Sequence, residues 1–305
     1  MRGVGTGGAP PLWAVFFGIV QAAHESLDIP TLAARITVPD ESIRRAAQAV
    51  AEARPGLGRL AEVAVWLAAV QGHNPAAPFE RIRIVTLDAT APEADAGASS
   101  GLEPDTARVP LEVPADAEPA FLAGMAAADA QIDSGADLLA LTGGQDLVPA
   151  MAVVSLLAGK DVAAVVGHRP GMDDRHWMHT CAAVRDTARR ARAHTGEIPT
   201  LLATLRASEV AAAAGLIAGA AARRTPVLLD DLVPAAGALV GQRVSFRTTR
   251  WLTATQRTTD PAHTAALERL RINPLLDYGM ASGLGLGVRL AIPHLQAAAQ
   301  LLDDA

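Results

Sequence analysis

The sequence predicts an α/β fold with a doubly wound, mostly parallel sheet in a Rossmann-like arrangement of three layers, and a small helical domain built from the chain ends. Three apolar segments have the pattern of buried strands: RIRIVTLD at residues 81–88, ADLLALTGG at 136–144 and TPVLLDD at 225–231. Helical segments separate them, and strands that alternate with helices are typical of parallel sheets. A chain of 305 residues can hold one large domain with a smaller one beside it.

Composition supports close packing of helices on this sheet. Half of the residues are hydrophobic, only 3% are aromatic, and alanine dominates. Small side chains allow backbones to approach closely. We expect residues 1–80 to form a tail and helices of the small domain, residues 81–255 the large α/β domain, and residues 256–305 a helical segment that completes the small domain.

Local patterns place several further elements. In GRLAEVAVWLAAVQG, Leu60, Val63, Leu67 and Val70 fall on one helical face. The helix SEVAAAAGLIAGAAARR begins with Ser208 as a possible N-cap. Residues 89–119 are rich in alanine, proline, glycine and acids, which predicts a long loop with little capacity for packing.

Charge and cysteine content exclude several classes of function. A formal net charge of -6 argues against nucleic-acid binding, which needs a clustered basic surface. A single cysteine, Cys181, excludes an intrachain disulfide and a cysteine-based zinc site. The apolar run at residues 12–20 is too short to span a membrane and lacks the features of a signal peptide, so we expect a soluble cytoplasmic protein.

The predicted strands bring polar and glycine residues to one edge of the sheet. Ligands of doubly wound folds bind beyond the carboxyl ends of the strands. Asp88, Gly143, Gly144 and Asp230 each lie at the carboxyl end of a predicted strand segment. We therefore expect these four residues to lie near one ligand-binding crevice.

Several segments, in order, resemble the nicotinate-nucleotide–dimethylbenzimidazole phosphoribosyltransferase family of cobalamin lower-ligand synthesis. The most specific are AAAAGLIAGAAARRTPVLLDD, ATQRTTDPAH and PLLDYGMASGLGLGVRLAIPHLQAAAQLL, and PGLGRLAEVAVWLAAVQG, SGADLLAL, VVGHRPGMDD and AAVRDTARRAR support them. The resemblance covers most of the chain from about residue 53 onward. It implies transfer of phosphoribose from nicotinate mononucleotide to the nitrogen of an aromatic base, without a cofactor or metal, in a dimeric protein.

One position departs from the family at the point where its chemistry occurs. In the C-terminal glycine run of the family, the catalytic glutamate stands between two glycines and takes the proton of the incoming base. Here Leu284 stands between Gly283 and Gly285. Leucine cannot accept a proton, although the glycines around it remain.

Three further departures concern the phosphate and base pockets. The Gly-Ile-Gly-Asn-Thr-Thr-like phosphate loop of the family is TGGQDLVPA here, with Asp146 where an anion would arrive. The lysine expected in the helix after GMDD falls at about Thr180, and of the family's Gly-Asp-His-Gly turn only Asp88 survives. From these changes together we expect the family reaction to be weakened or lost in this chain.

The remaining candidate residues each have a functional and a structural interpretation. If catalysis survives, the acids expected to act as base are Glu209, Asp230 and Asp88. Asp173 and Asp174 match a binding turn of the family but also suit the N-terminus of a helix. Glu209 equally suits the first turn of a helix. Gly283, Gly285 and Gly287 could bring the backbone close to a bound phosphate or nucleotide, as Gly143 and Gly144 could, or they could allow close helix packing.

Two other clusters have similar alternatives. His168, His176 and His179 lie close in sequence but with irregular spacing, which favours surface histidines over a metal site. Arg257 and His263 match a ligand-proximal run of the family, and a loop held by local hydrogen bonds is the alternative.

Three functional hypotheses follow. The chain could be a diverged phosphoribosyltransferase that acts on a nicotinate mononucleotide-like nucleotide and an aromatic base. It could be a non-catalytic subunit that pairs with itself or with an active family member. It could also bind a cobamide precursor or a nucleotide without turnover.

Overall fold

The computed structural model describes residues 27–54, 56–87, 104–169, 171–281 and 285–302. Its centre is a sheet of six strands in the order β2-β1-β3-β4-β5-β6, and every neighbouring pair is parallel. The strands are β1 Arg81–Thr86, β2 Asp105–Pro110, β3 Leu138–Thr142, β4 Val227–Leu229, β5 Leu252–Gln256 and β6 Pro274–Leu276. The predicted α/β class is confirmed, and the described sheet is parallel throughout.

The strand order reverses once, between β1 and β3. From β1 the chain first adds β2 on one side, and all later strands extend the sheet on the other side. Loops diverge at such a reversal and leave a crevice at the carboxyl ends of the strands. The ends of β1, β3, β4 and β5 therefore border this crevice, and ligand binding there stays a prediction.

Helices cover both faces of the sheet. Those in the described residues are α1 Ile29–Arg35, α2 Glu41–Glu52, α3 Arg59–Gln71, α4 Ala117–Asp133, α5 Leu147–Ala158, α6 Val162–Val166, α7 Asp174–Ala191, α8 Ile198–Leu205, α9 Ser208–Ala222, α10 Leu232–Val244, α11 Pro261–Leu270 and α12 Leu286–Gln300. Two 3₁₀ segments, Arg192–His194 and Phe246–Trp251, precede α8 and β5 respectively. No helix among the described residues is long and apolar enough to cross a membrane.

Two hydrophobic cores separate these helices into layers. Helices from the two chain ends, α2, α3 and α12, pack together on one face, against strand residues such as Ile82, Leu138 and Leu228. The other helices cover the opposite face, against the alternate residues Leu139 and Leu229. Because successive strand residues point to opposite faces, burial of both sets accounts for the continuous apolar runs of the sequence. The division into two domains stays a prediction.

Small residues bring three helices into backbone contact, as the alanine-rich composition predicts. A side chain at Gly124 of α4 would meet the backbone of Ala212, and one at Gly215 of α9 would meet the backbone of Phe121. A side chain at Gly237 of α10 would meet Ala213 of α9. These contacts fix α9 between α4 and α10.

Two local predictions were wrong. Residues 89–119 do not form a continuous loop: Asp105–Pro110 is strand β2 at the edge of the sheet, and α4 begins at Ala117. Ser208 is the first residue of α9, Ala207 holds the N-cap position, and no side chain caps the helix. The strand was missed because a polar edge strand lacks an apolar run, and its pairing with β1 is not a local property.

Candidate active-site crevice

One buried carboxylate holds the centre of the crevice together. Asp230 follows β4 directly and is 0% exposed. It accepts hydrogen bonds from Thr142 Oγ1 at 3.0 Å, Thr255 Oγ1 at 2.6 Å and Gln256 Nε2 at 3.3 Å. Its fourth donor is the backbone N–H of Gly285, also at 3.0 Å. Asp230 thereby links the ends of β3, β4 and β5 to the start of α12.

A second acid stands beside it. Asp231 Oδ2 accepts the backbone N–H of Gly143 at 3.2 Å, and its Oδ1 is shielded from solvent and has no hydrogen-bond partner in the described part of the chain. Burial raises the pKa of Asp230, although its four donors oppose the shift. Burial, followed by the nearby charge of Asp230, raises the pKa of Asp231 well above its ordinary value. The crevice therefore contains two adjacent carboxyl groups that disfavour double ionisation.

The turn after β3 is closed by another internal carboxylate. Gly143 and Gly144 have φ angles of 85° and 110°, which glycine adopts without strain. Beyond them, Glu209 Oε2 accepts the backbone N–H groups of Gln145 at 2.8 Å and Asp146 at 2.7 Å. These donors lie at the start of α5, where an anion is favourable. Glu209 thus places a negative charge of the protein itself at the N-terminus of α5.

A cleft of about 470 Å³ opens beside this turn. Arg169, Thr180, Asp146 and His176 contribute to its wall. Arg169 is paired with Asp260 at 2.9 Å and is not a free cation. Thr180, at the position expected for a lysine, is buried and adds no charge. The cleft consequently offers little to attract a phosphate.

The loop before α7 has the structure that the capping interpretation predicts. Asp173 is the N-cap, and its Oδ1 accepts the backbone N–H of His176 at 2.7 Å. Asp174 is the first residue of the helix. A ligand-binding role for these two acids stays a prediction.

The glycines that begin α12 approach the buried acid closely. Gly285 is the N-cap with φ 78°, and its N–H donates to Thr142 Oγ1 as well as to Asp230. A side chain at Gly287 would overlap Asp230 and Gln256. These contacts agree with the packing interpretation of Gly285 and Gly287. Gly283 and Leu284 lie outside the described residues, as does Asp88.

The histidine clusters lie apart from this network. His168 stacks on Trp177 with ring centroids 5.1 Å apart. Among the described residues, no group of three His, Cys, Asp or Glu side chains could hold a metal ion. His263 is 0% exposed, and its Nδ1 contacts Thr258 Oγ1 at 2.8 Å, in agreement with a loop held by local hydrogen bonds.

Comparison with known proteins identifies the family. A family model described as Phosphoribosyltransferase matches residues 113–305. The nicotinate-nucleotide–dimethylbenzimidazole phosphoribosyltransferase of Streptomyces avermitilis is 36% identical, over 92% of this chain and 91% of the relative. The chain belongs to the nicotinate-nucleotide–dimethylbenzimidazole phosphoribosyltransferase family. The resemblance stated from the sequence motifs is confirmed.

Other members of this phosphoribosyltransferase family agree in sequence and in fold. The enzyme of the same name from Streptomyces coelicolor is 35% identical, over 92% of this chain and 96% of the relative. The crystal structure of CobT from Thermus thermophilus superposes with a TM-score of 0.74 at 27% identity, covering 87% of this chain and 97% of that chain. The similarity therefore extends over nearly the whole scaffold.

Within this phosphoribosyltransferase scaffold, the described acids that sequence suggested as bases are both engaged in hydrogen bonds. Asp230 has no exposed surface, and Glu209 caps α5. Sequence reasoning did not single out Thr142, Thr255 or Asp231 as site residues. Their position at or directly after a strand end was the available signal, because those positions converge in a parallel sheet.

Proposed function

We propose that this family member keeps the crevice at the carboxyl ends of the strands as a binding site, and that its own transfer of phosphoribose is weakened or lost. The observation that carries the proposal is the engagement of Asp230 and Glu209 in structural hydrogen bonds. A general base needs a lone pair that can reach the substrate proton. Leu284, at the glutamate position of the family, offers none.

The electrostatics of the β3 turn support this proposal. Backbone N–H groups at residues 143, 145 and 146 already donate to Asp231 and Glu209. A phosphate arriving there would compete with those carboxylates and face Asp146. Nucleotide binding through this turn should therefore be weak. An aromatic base, which carries no phosphate, is the favoured ligand.

The test compares binding and transfer in three proteins: the wild type, Leu284→Glu and the control Leu286→Glu. Leu286 is 45% exposed at the start of α12, so the control adds the same charge two residues away. Thermal shifts report the binding of dimethylbenzimidazole and of nicotinate mononucleotide, because a ligand of the native state raises Tm. Mass spectrometry reports the phosphoribosylated product.

We expect dimethylbenzimidazole to raise the Tm of the wild type, which should form little or no product. Restoring a base should increase transfer by about 100-fold or more, since general-base help is worth roughly 10²–10⁴-fold. Leu286→Glu should behave as the wild type does. Absence of any Tm shift with either ligand at millimolar concentration would contradict the binding proposal.

A rebuilt active site is the second candidate, and Asp231 favours it. Its Oδ1 has no hydrogen-bond partner among the described residues, and burial raises the pKa of this carboxyl well above its ordinary value. Substantial transfer by the wild type that is lost in Asp231→Asn, but kept in the exposed-site control Asp277→Asn, would establish this alternative.

The same proposal includes pairing of two chains, as a homodimer or as a heterodimer with an active family member. Family resemblance alone supports this part. Light scattering of the purified chain, with and without an active relative, measures it directly. A monomer under both conditions would contradict it.

A further inference from the structure

A second cleft lies at the opposite end of the sheet from the crevice. It has a volume of about 610 Å³, and Leu252 at the start of β5 and Asn273 before β6 form part of its wall. The far end of β5 is Gln256, which contacts Asp230 in the crevice. Four residue steps at about 3.3 Å each separate the two sites by roughly 13 Å along the strand.

Positive charge distinguishes this second cleft, which we call the arginine cleft. Arg59, Arg250, Arg269 and Arg271 line it, and Glu62 is the carboxylate among the lining residues. Four arginines against one glutamate leave a net charge of +3. The whole chain has a formal net charge of -6, so this concentration of positive charge runs against the overall balance.

The four guanidinium groups are available to a ligand. None of them forms an ion pair with a residue in the described part of the chain. Arg59 donates to the backbone oxygen of Pro274 at 2.5 Å, which leaves further N–H groups of its fork unused. Arg250 acts at longer range on Glu41, whose first partner is Arg44. All four arginines are exposed.

Favourable interaction with a helix dipole explains the position of only two of the four arginines. Arg269 and Arg271 stand at the end of α11, where a cation is favourable. Arg59, however, is the first residue of α3, where the helix dipole disfavours a cation. Arg250 lies in a 3₁₀ segment outside any long helix. The four side chains converge in one cleft from three separate elements.

Aromatic side chains border the same charges. The indole of Trp66 donates to the backbone oxygen of Arg250 at 3.2 Å, which holds the ring against the cleft wall. Phe246 is 72% exposed, and the guanidinium of Arg247 lies 5.3 Å from its ring centroid. An exposed ring beside a guanidinium offers a stacking surface to a flat aromatic ligand.

We propose that the arginine cleft is a binding site for a nucleoside di- or triphosphate, separate from the crevice. Arginine forks bind phosphate oxygens through paired N–H donors. The +3 charge of the lining matches a diphosphate or triphosphate better than a single phosphate. Trp66 and Phe246 supply surfaces for the base, which inorganic phosphate would not use. The site follows from the described residues alone and does not depend on any activity in the crevice.

The test measures ADP, AMP, adenosine and inorganic phosphate binding by calorimetry at physiological salt. The variant Arg250→Gln/Arg269→Gln removes two exposed cleft charges whose side chains make no described hydrogen bond. The matched control Arg189→Gln/Arg192→Gln removes two exposed charges around the end of α7. Competition with dimethylbenzimidazole, a ligand favoured for the crevice that carries no phosphate, separates this cleft from the crevice.

We expect ADP to bind more tightly than AMP, and AMP more tightly than adenosine or phosphate. The cleft variant should weaken ADP binding by about tenfold or more, because it removes two guanidinium groups that donate charge-assisted hydrogen bonds to phosphate oxygens. The control should bind as the wild type does, and dimethylbenzimidazole should not displace ADP. Equal loss in both double variants, displacement by dimethylbenzimidazole, or no ADP binding would each overturn the proposal.

Discussion

His263 should make the stability of this protein sensitive to acid. Burial, with a smaller contribution from the charge of Arg257, lowers the pKa of His263 from 6.5 to about 4. The backbone N–H of Thr258 donates to its Nδ1 at 3.3 Å, so this nitrogen serves as an acceptor in the neutral ring. Protonation would place a second N–H against that donor and a charge in the core.

The sign and size of the effect follow from the two pKa values. Because the folded pKa is depressed, the stabilisation is present above pH 6.5 and is lost as the pH falls through about 4. At about 1.4 kcal/mol per unit of pKa difference, the loss relative to pH 7 reaches roughly 2 kcal/mol at pH 5 and roughly 3 kcal/mol at pH 4.

Urea unfolding at pH 7, 6, 5 and 4 measures this loss against a variant that cannot titrate. His263→Asn keeps an acceptor oxygen near the position of Nδ1, so it preserves the contact with Thr258 while removing the ionisation. The control His294→Asn removes an exposed histidine. The comparison uses the change of the unfolding free energy with pH in each protein. A constant loss of stability from the smaller side chain cancels in this comparison, and so does the titration of the buried aspartates, which both proteins share.

The free energy of unfolding of the wild type should fall relative to His263→Asn by the amounts given above, and His294→Asn should follow the wild type. Parallel pH profiles for the wild type and His263→Asn would refute the reasoning, because the histidine would then ionise equally in the folded and unfolded chains.

Three other substitutions test the scaffold. Asp230→Ala should cost about 3–5 kcal/mol in urea unfolding, since four buried donors lose their acceptor, whereas the exposed Asp277→Ala should cost less than about 0.5 kcal/mol. In the folded wild type the pKa of Asp231 is raised, so this residue stabilises the protein at low pH and the stabilisation is lost as the pH rises through that pKa. Asp231→Asn cannot ionise, so its free energy of unfolding should increase relative to that of the wild type as the pH rises from acid to neutral. Gly215→Ala should destabilise by several kcal/mol because its methyl group would overlap the backbone of α4, and Gly196→Ala, with nothing within 4 Å, should be nearly neutral.

Local sequence patterns sufficed for much of the fold. The apolar runs that form β1, β3 and β4 have buried residues on both faces of the sheet. Burial of this kind produces a continuous apolar run that can be recognised within a few residues of sequence. Strand β2 has no apolar run, since its residues DTARVP are exposed or half-buried at the edge of the sheet. Its conformation depends on pairing with β1, a contact that is distant in sequence.

The sequence predicted which strand ends lie together, and a ligand site at those ends stays a prediction. The rule for parallel strands places Asp230 and the Gly143 turn at one edge of the sheet, and the structure brings both to that edge. The rule could not distinguish an acid that is free to react from one that is saturated with donors, because the donors come from β3, β5 and α12. Nothing in the local sequence distinguishes Thr142 and Thr255 from other threonines. Only the arrangement of the strands places both beside the carboxylate of Asp230.

The hydrogen bonds of Asp230 anchor the start of α12. Its carboxylate accepts the N–H of Gly285, so the residue that directly follows β4 holds this helix in place. The sequence resemblance implies that Leu284 stands at the position of the family's glutamate. Leu284→Glu should therefore add a proton acceptor without changing either residue of this anchoring bond, so a gain in transfer would be attributed to the added carboxylate.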